Sequence, residues 1–249
     1  MLPLRIFGIP VRINWSVAIL AILGIGVYDG FALVMFTFGV VAAVLLHELG
    51  HAFTARRFGG SDIMVTLYAF GGLTTFQPGV ERPMSSFRLF LVAAAGSATG
   101  IITGGALFLL IRNDVLTPRN VDIEALAWGF ILAGLIWGAL NWLPIGPLDG
   151  AHMLRHFLAA TVPSRAASIA RTVSIIVGAA TVIVAISLDQ LFLAVIAGVM
   201  TVSTLSEPAP ASRPRAERGD SAPDDDEESD PPVVPEDPPA ADGPPVFPI

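Results

Sequence analysis

His47-Glu48-Leu49-Gly50-His51 sits inside an apolar run that extends from Phe31 to about Phe58. The run is long enough to cross a bilayer as a helix, which takes about 20 residues. On a helix, side chains four residues apart lie on one face, one turn apart, so His47 and His51 project together. That spacing lets two imidazoles share one zinc ion, with Glu48 placed to deprotonate a zinc-bound water. The chain has four histidines and eight glutamates, so the pattern arises by chance in about one chain of several hundred. Ionisable groups at membrane depth cost about 3 kcal/mol each on insertion scales. Their presence there points to metal-assisted hydrolysis within a bilayer.

Composition agrees with the membrane reading. The 249 residues are 53% hydrophobic and only 14% charged, against roughly 25% charged in soluble domains. With no cysteine, there is no disulfide framework and no thiolate metal site. Nitrogen and oxygen must therefore hold any zinc. All fourteen basic residues are arginine. Charge is unevenly spread. Residues 1–206 carry nine acids and eleven arginines, net +2, and residues 207–249 carry twelve acids and three arginines, net −9. The first region reads as a polytopic membrane core that carries the metal motif. The second holds twelve of the twenty prolines and the run Asp224-Asp225-Asp226-Glu227-Glu228, and reads as a disordered acidic cytoplasmic tail, a solvated tether rather than a binding arm.

Outward from the motif, six membrane helices are expected, an all-α polytopic fold with one short membrane-associated β-hairpin. Trp15 to about Val27 follows Arg5 and Arg12 and reads as a retained first helix, because no small-x-small cleavage site follows it. The motif helix comes second and ends at Arg56-Arg57, with Gly59-Gly60 as its stop. Residues 62–76 are β-branched and aromatic around Gly71-Gly72, the pattern of a hairpin. Phe87 to Ile111 is a third span whose small residues permit close helix packing. Ala125 to about Leu143 is the fourth, ended by the prolines and glycines of Pro144-Ile145-Gly146-Pro147-Leu148-Asp149-Gly150. Arg155 to Arg171 is expected to hold an interfacial helix. Thr172 to Leu205 is too long for one span and divides near Ser187-Leu188-Asp189-Gln190 into two short helices.

Arginine placement supports this count. With a cytoplasmic N-terminus, Arg5, Arg12, Arg56, Arg57, Arg82, Arg88, Arg155, Arg165 and Arg171 fall inside, and only Arg112 and Arg119 outside. Both termini are then cytoplasmic in a multi-pass protein of the cell membrane. The arginine-only usage reads as the bias of a bacterial genome. The second and fourth helices both run inward. His51 and His47 lie about 8 and 14 Å before Arg56 along the axis, and Asn141 to Asp149 approach the same depth.

A hydrolytic zinc takes three protein ligands and keeps one position open. Asp149, a carboxylate on irregular backbone in an apolar stretch, is the expected third, although its type also suits a helix cap. Glu48 is the expected general base and proton donor to the leaving amine. Asn141 is either a donor to the substrate carbonyl or a link between helices. His152 and His156 repeat the i,i+4 spacing and are placed beside the site rather than in it. Trp15, Trp128, Trp137 and Trp142 read as packing and interface residues.

Two motifs, His47-Glu48-Leu49-Gly50-His51 and Asn141-x-x-Pro144-x-x-Pro147-Leu148-Asp149-Gly150, together resemble the site-2 protease family of intramembrane zinc metalloproteases. Phe7-Gly8-Ile9-Pro10-Val11-Arg12-Ile13-Asn14-Trp15 also looks like that family's opening, and the likeness runs to about residue 205. It implies a six-helix core, one zinc per chain, and cleavage of peptide bonds in or near a transmembrane segment, often in regulated proteolysis. It also implies that the stretch Leu67 to Phe76 pairs with unwound substrate. The implied partners are a transmembrane protein or peptide and the lipid bilayer, with no nucleic acid. No PDZ-like or CBS-like domain is visible. Family members often carry Gly-Pro and a nearby Asn in the third helix. This chain has Gly96-Ser97-Ala98-Thr99-Gly100, which leaves open whether that helix contributes a polar group. Two other readings exist. An inactive membrane scaffold would have no need of Glu48, and a zinc transporter would need a relay of intramembrane ligands beyond the one cluster.

Overall fold

The structure is a computed structural model that describes residues 2–69, 71–78, 84–206 and 247–248. The N-terminal segment is sheet. Leu2–Ile6 (β1) and Ile9–Ile13 (β2) pair antiparallel around Phe7 and Gly8, which take φ of 48° and 82°. Positive φ at both central residues belongs to the two-residue hairpin turn that matches strand twist. Ser61–Tyr68 (β3) and Gly71–Gln77 (β4) form the expected hairpin, and β2 joins it in parallel, Val11 opposite Val65. Beyond β4, Phe247–Pro248 (β5) pairs antiparallel with Thr75 and Phe76, giving the order β1-β2-β3-β4-β5. The sheet is thus wider than the single hairpin expected. The apolar alternation of residues 9–13 is its signal in the sequence. The expectation of disorder for 207–249 otherwise falls outside the described residues.

Gly30–Arg57 (α1) is the motif helix. Its C-terminus closes as anticipated: Gly59, at φ 88°, donates to Arg56 O and Gly60 to Ala55 O, the paired bonds of a Schellman motif. Ser86–Arg112 (α2) starts at the Ser85 side chain, which caps the Arg88 N–H. Val121–Ile131 (α3) starts at Asn120, which caps Ile123, and continues through a π-helical turn at Leu132–Ile136 into Trp137–Leu140 (α4). Asp149–Thr161 (α5), Ala166–Ser187 (α6) and Leu191–Ser206 (α7) complete the helices.

Four helical stretches are long and apolar enough to cross a membrane: Gly30–Arg57, Ser86–Arg112, Val121–Leu140 and Ala166–Ser187. The protein is a multi-pass membrane protein. Two expected spans are shorter than anticipated. Trp15–Gly24 is a ten-residue 3-10 helix, about 20 Å long at about 2 Å per residue. Strand β2 takes up the residues before it, and Gly26, at φ 88°, lies just beyond its end. Leu191–Ser206 is apolar but has only 16 residues. The last apolar stretch does divide at Ser187–Gln190, yet α6 begins at Ala166 and is a full span. The interfacial helix expected over Arg155 to Arg171 lies earlier, as α5. Pro163-Ser164 breaks the chain there, since proline lacks the N–H a continuing helix needs.

Small residues set the helix spacing. A Cβ on Gly39 would lie 2.1 Å from Leu126 O, and one on Gly129 2.1 Å from Phe36 O, so α1 and α3 touch backbone to backbone. Gly100 and Gly104 of α2 meet Gly134 and Leu135 in the π turn in the same way. The sheet lies over the motif-bearing half of α1: Val11, Val65, Leu67 and Phe76 bury fully against Leu49, Ala52 and Ala55. Arg56 fastens the other end of the hairpin, donating to Phe7 O at 2.8 Å. The buried polar motif therefore sits under a lid of strands, where three helices meet.

Candidate metal centre

The pitch of α1 aims His47 and His51 the same way, and their rings lie edge to face with centroids 4.8 Å apart. Their Nε2 atoms are 3.1 Å apart. Asp149 reaches this pair from the other side of the molecule. Its Oδ2 is 3.3 Å from His47 Nε2 and its Oδ1 3.3 Å from His51 Nε2. All three side chains are buried. They form the one cluster of three or more potential metal ligands among the described residues, within 4.8 Å of one another.

Backbone irregularity delivers Asp149. After α4 ends, residues 141–148 fold into turns, and Gly150 N–H donates back to Asn141 O at 2.8 Å. Asp149 is then the first residue of α5, held beside Asn141. A Cβ on Gly150 would lie 2.2 Å from Trp142 O, so only glycine permits this closure. Asn141 Nδ2 stands 3.3 Å from His47 Nε2, at the edge of the cluster.

These distances suit zinc. With zinc–nitrogen bonds of about 2.0–2.1 Å, tetrahedral ligand atoms lie about 3.3 Å apart; the two Nε2 atoms are 3.1 Å apart, and each has one Asp149 oxygen at 3.3 Å, Oδ2 beside His47 and Oδ1 beside His51. The donor set, two imidazoles and a carboxylate, is that of hydrolytic zinc sites. His51 Nδ1 donates to the Val92 carbonyl at 2.7 Å. A carbonyl only accepts, so the proton sits on Nδ1 and the Nε2 lone pair faces the cluster.

The chain resembles proteins whose names describe this chemistry. Rip3 of Mycobacterium tuberculosis, named a zinc metalloprotease, is 36% identical over 169 residues, covering 62% of this chain and 42% of Rip3. Zinc metalloprotease MJ0392 of Methanocaldococcus jannaschii is 27% identical over 158 residues, covering 62% of this chain and 44% of that protein. Stage IV sporulation protein FB of Bacillus subtilis is 32% identical over 111 residues, 45% of this chain and 36% of that one. The matches thus span less than half the length of these relatives. No family model matches the chain. The solved site-2 protease from Methanocaldococcus jannaschii has the same fold, with a TM-score of 0.55 at 19% identity over 82% of this chain and 93% of that one. The chain is thus similar in sequence to zinc metalloproteases and shares the fold of a solved site-2 protease.

Several residues around this cluster went unread in the sequence. Thr74 of β4, fully buried, donates to Glu48 Oε2 at 2.6 Å. Gly72 lets the strand approach, since a Cβ there would fall 2.3 Å from Glu48 Cγ. Gly96 of α2 does the same for His51, whose ring a Cβ would meet at 2.2 Å. The polar contribution of α2, left open by the sequence, comes from Ser97, whose hydroxyl donates to Asp149 Oδ2. None of these carries a signature of its own, because each matters through a partner distant in sequence. His152 and His156 lie on α5 outside the ligand cluster. The His156 pKa is pushed down to about 4, first by burial and then by the positive charge of His152 and Arg155.

Proposed function

We propose that the protein is an intramembrane zinc endopeptidase, cutting peptide bonds in or near the transmembrane segments of membrane proteins in regulated intramembrane proteolysis. The observation that carries this reading is the meeting of His47, His51 and Asp149, from helices about a hundred residues apart, with buried Glu48 on the same turn of α1. His47 and His51 through Nε2, and Asp149 through a carboxylate oxygen, would hold one zinc per chain. Bound there, the ion supplies Lewis acidity, which lowers the pKa of water and polarises a carbonyl.

The protein's own groups do the rest. Glu48 takes the proton of the attacking water and returns it to the departing amine. Thr74 fixes Oε2 of that carboxylate, and the proton would go to the other oxygen. The Asn141 amide is placed to donate to the carbonyl oxygen of the scissile bond as negative charge develops. Strand β4 carries Thr74 beside Glu48, so a substrate strand that took the edge of β4 now paired with Phe247–Pro248 would satisfy its own backbone groups while running past the base. The four long helices with Trp15–Gly24 and Leu191–Ser206 make six apolar segments. Arginine distribution then puts both termini in the cytoplasm.

The test is zinc content of the full chain purified in detergent. About one zinc per wild-type chain is expected, and none in His47→Ala or Asp149→Ala. Zinc retained in Asp149→Ala removes that residue from the ligand set. A wild type that takes up no zinc sinks the reading and favours a membrane scaffold.

A further inference from the structure

Helix α2 supplies no ligand, yet it touches two of them. The Val92 carbonyl takes the Nδ1 proton of His51, Gly96 makes room for the ring one turn on, and Ser97 donates to Asp149. Ser97 is fully buried. A buried hydroxyl within a helix has an easy partner in the carbonyl one turn back. Thr99 and Thr103 of the same helix use it, donating at 2.8 Å to Ala95 O and Thr99 O, and Thr181 and Thr201 do likewise elsewhere. Ser97 instead bonds across to a residue 52 positions away on another helix. The two oxygens of Asp149 face different neighbours, Oδ2 toward His47 and Oδ1 toward His51. Which oxygen is free to ligate is therefore a matter of the carboxylate's rotation.

We propose that Ser97 is a positioning residue of the metal centre: by holding Oδ2 of Asp149 it fixes the rotation of the carboxylate, presents Oδ1 to the ion, and sets the zinc affinity. This rests on the zinc reading above. Hydrogen bonds to metal ligands from the surrounding residues govern affinity, and their loss costs 10–100-fold.

The experiment measures zinc affinity of the full chain in detergent, by competition with a chelator of known strength. It is paired with the visible absorption of the cobalt-substituted protein, which reports ligand geometry. Ser97→Ala is expected to bind zinc 10–100-fold more weakly and to shift the cobalt bands, with helical content unchanged. Ser97→Thr, which keeps the hydroxyl, should recover most of the affinity. Thr103→Ala removes a hydroxyl from the same helix without touching Asp149 and should leave both readouts at the wild-type value. Equal affinity and identical cobalt spectra in Ser97→Ala and wild type overturn the proposal while leaving the zinc reading standing. No zinc in wild type overturns both. Should Ser97→Ala not fold, Ser97→Gly gives the same two arms, since it also removes the hydroxyl and fills no space.

Discussion

Two pairs of histidines in this chain share one spacing. His47 and His51 lie one turn apart on α1, and His152 and His156 one turn apart on α5. The first pair is buried, faces Asp149 on two sides and has Glu48 between its members. The second lies outside the ligand cluster, and the charges that act on His156 are positive ones, from His152 and Arg155. The same helical geometry therefore yields a three-residue ligand cluster in one place and, among the described residues, none in the other. Pitch supplies two nitrogens and nothing more. What makes a site is a carboxylate brought in from a second element, a carbonyl that selects the tautomer, and small residues that let these groups approach.

The comparison breaks most readily at Glu48, the residue with no counterpart between His152 and His156. Glu48→Gln removes the proton acceptor and keeps the shape. Cleavage of a transmembrane substrate should fall by about 10²–10⁴, the share general acid–base catalysis supplies, while zinc content stays at the wild-type level. Undiminished cleavage would show that the base is elsewhere. In the same assay the double variant His152→Ala with His156→Ala should keep its zinc. Loss of zinc there would mean that the two pairs are not distinct.

Gly96→Ala tests whether close approach matters as much as ligand identity. The added methyl would lie 2.2–2.5 Å from three atoms of the His51 ring. The ring must move or α2 must retreat, at a cost of about 1–3 kcal/mol for overpacking. Zinc affinity should fall with Tm. An unchanged Tm and zinc content would mean that the helix pair is looser than its packing indicates. Thr74→Val is milder. It keeps the volume of a fully buried side chain and removes the bond to Glu48 Oε2. A hydrogen bond to a charged group contributes about 1.5–3 kcal/mol, so kcat should drop about tenfold or more, with zinc binding and KM nearly unchanged. A change in zinc content instead would place Thr74 with the ligands rather than with the base.

These effects divide along the line between what the sequence carries locally and what it does not. The helix over His47–His51 was legible because its signals are local: apolar composition, a four-residue repeat, Arg56-Arg57 and a glycine stop. The hairpin at Ser61–Gln77 was legible from β-branched residues around Gly71-Gly72. Asp149 was legible at one remove, as a carboxylate on a stretch too rich in proline and glycine to stay helical. Strands β1 and β2 were passed over although Leu2–Ile13 alternates, because the following apolar run suggested a membrane helix from Trp15 onward. That run folds as ten residues of 3-10 helix, and nothing in its composition separates it from the start of a span. Ser97 and Thr74 were illegible for a different reason. A serine in a small-residue helix and a threonine in a strand are ordinary, and their partners, Asp149 and Glu48, lie 52 and 26 residues away.

The smallest effect comes from the second histidine pair and sharpens the contrast from its other side. Burial and the neighbouring positive charges hold the His156 pKa at about 4, below its ordinary value near 6.5. A histidine depressed on folding binds its proton more readily in the unfolded chain. Stability is therefore whole above about pH 6.5 and is lost as pH falls from there toward 4. His156 is only partly buried, so solvent screening trims the effect to about 1 kcal/mol. Other groups titrate in the same window, so the test is a difference between proteins. Measured as Tm against pH in zinc-free detergent solution, His156→Asn should lose less stability between pH 6.5 and 4 than wild type. Parallel curves would mean that His156 is hydrated and charged like a surface imidazole, and that the two pairs differ only in their partners. A shallower curve for the variant would mean that they differ in the charge they can hold, since His156 stays neutral beside the positive charges of His152 and Arg155.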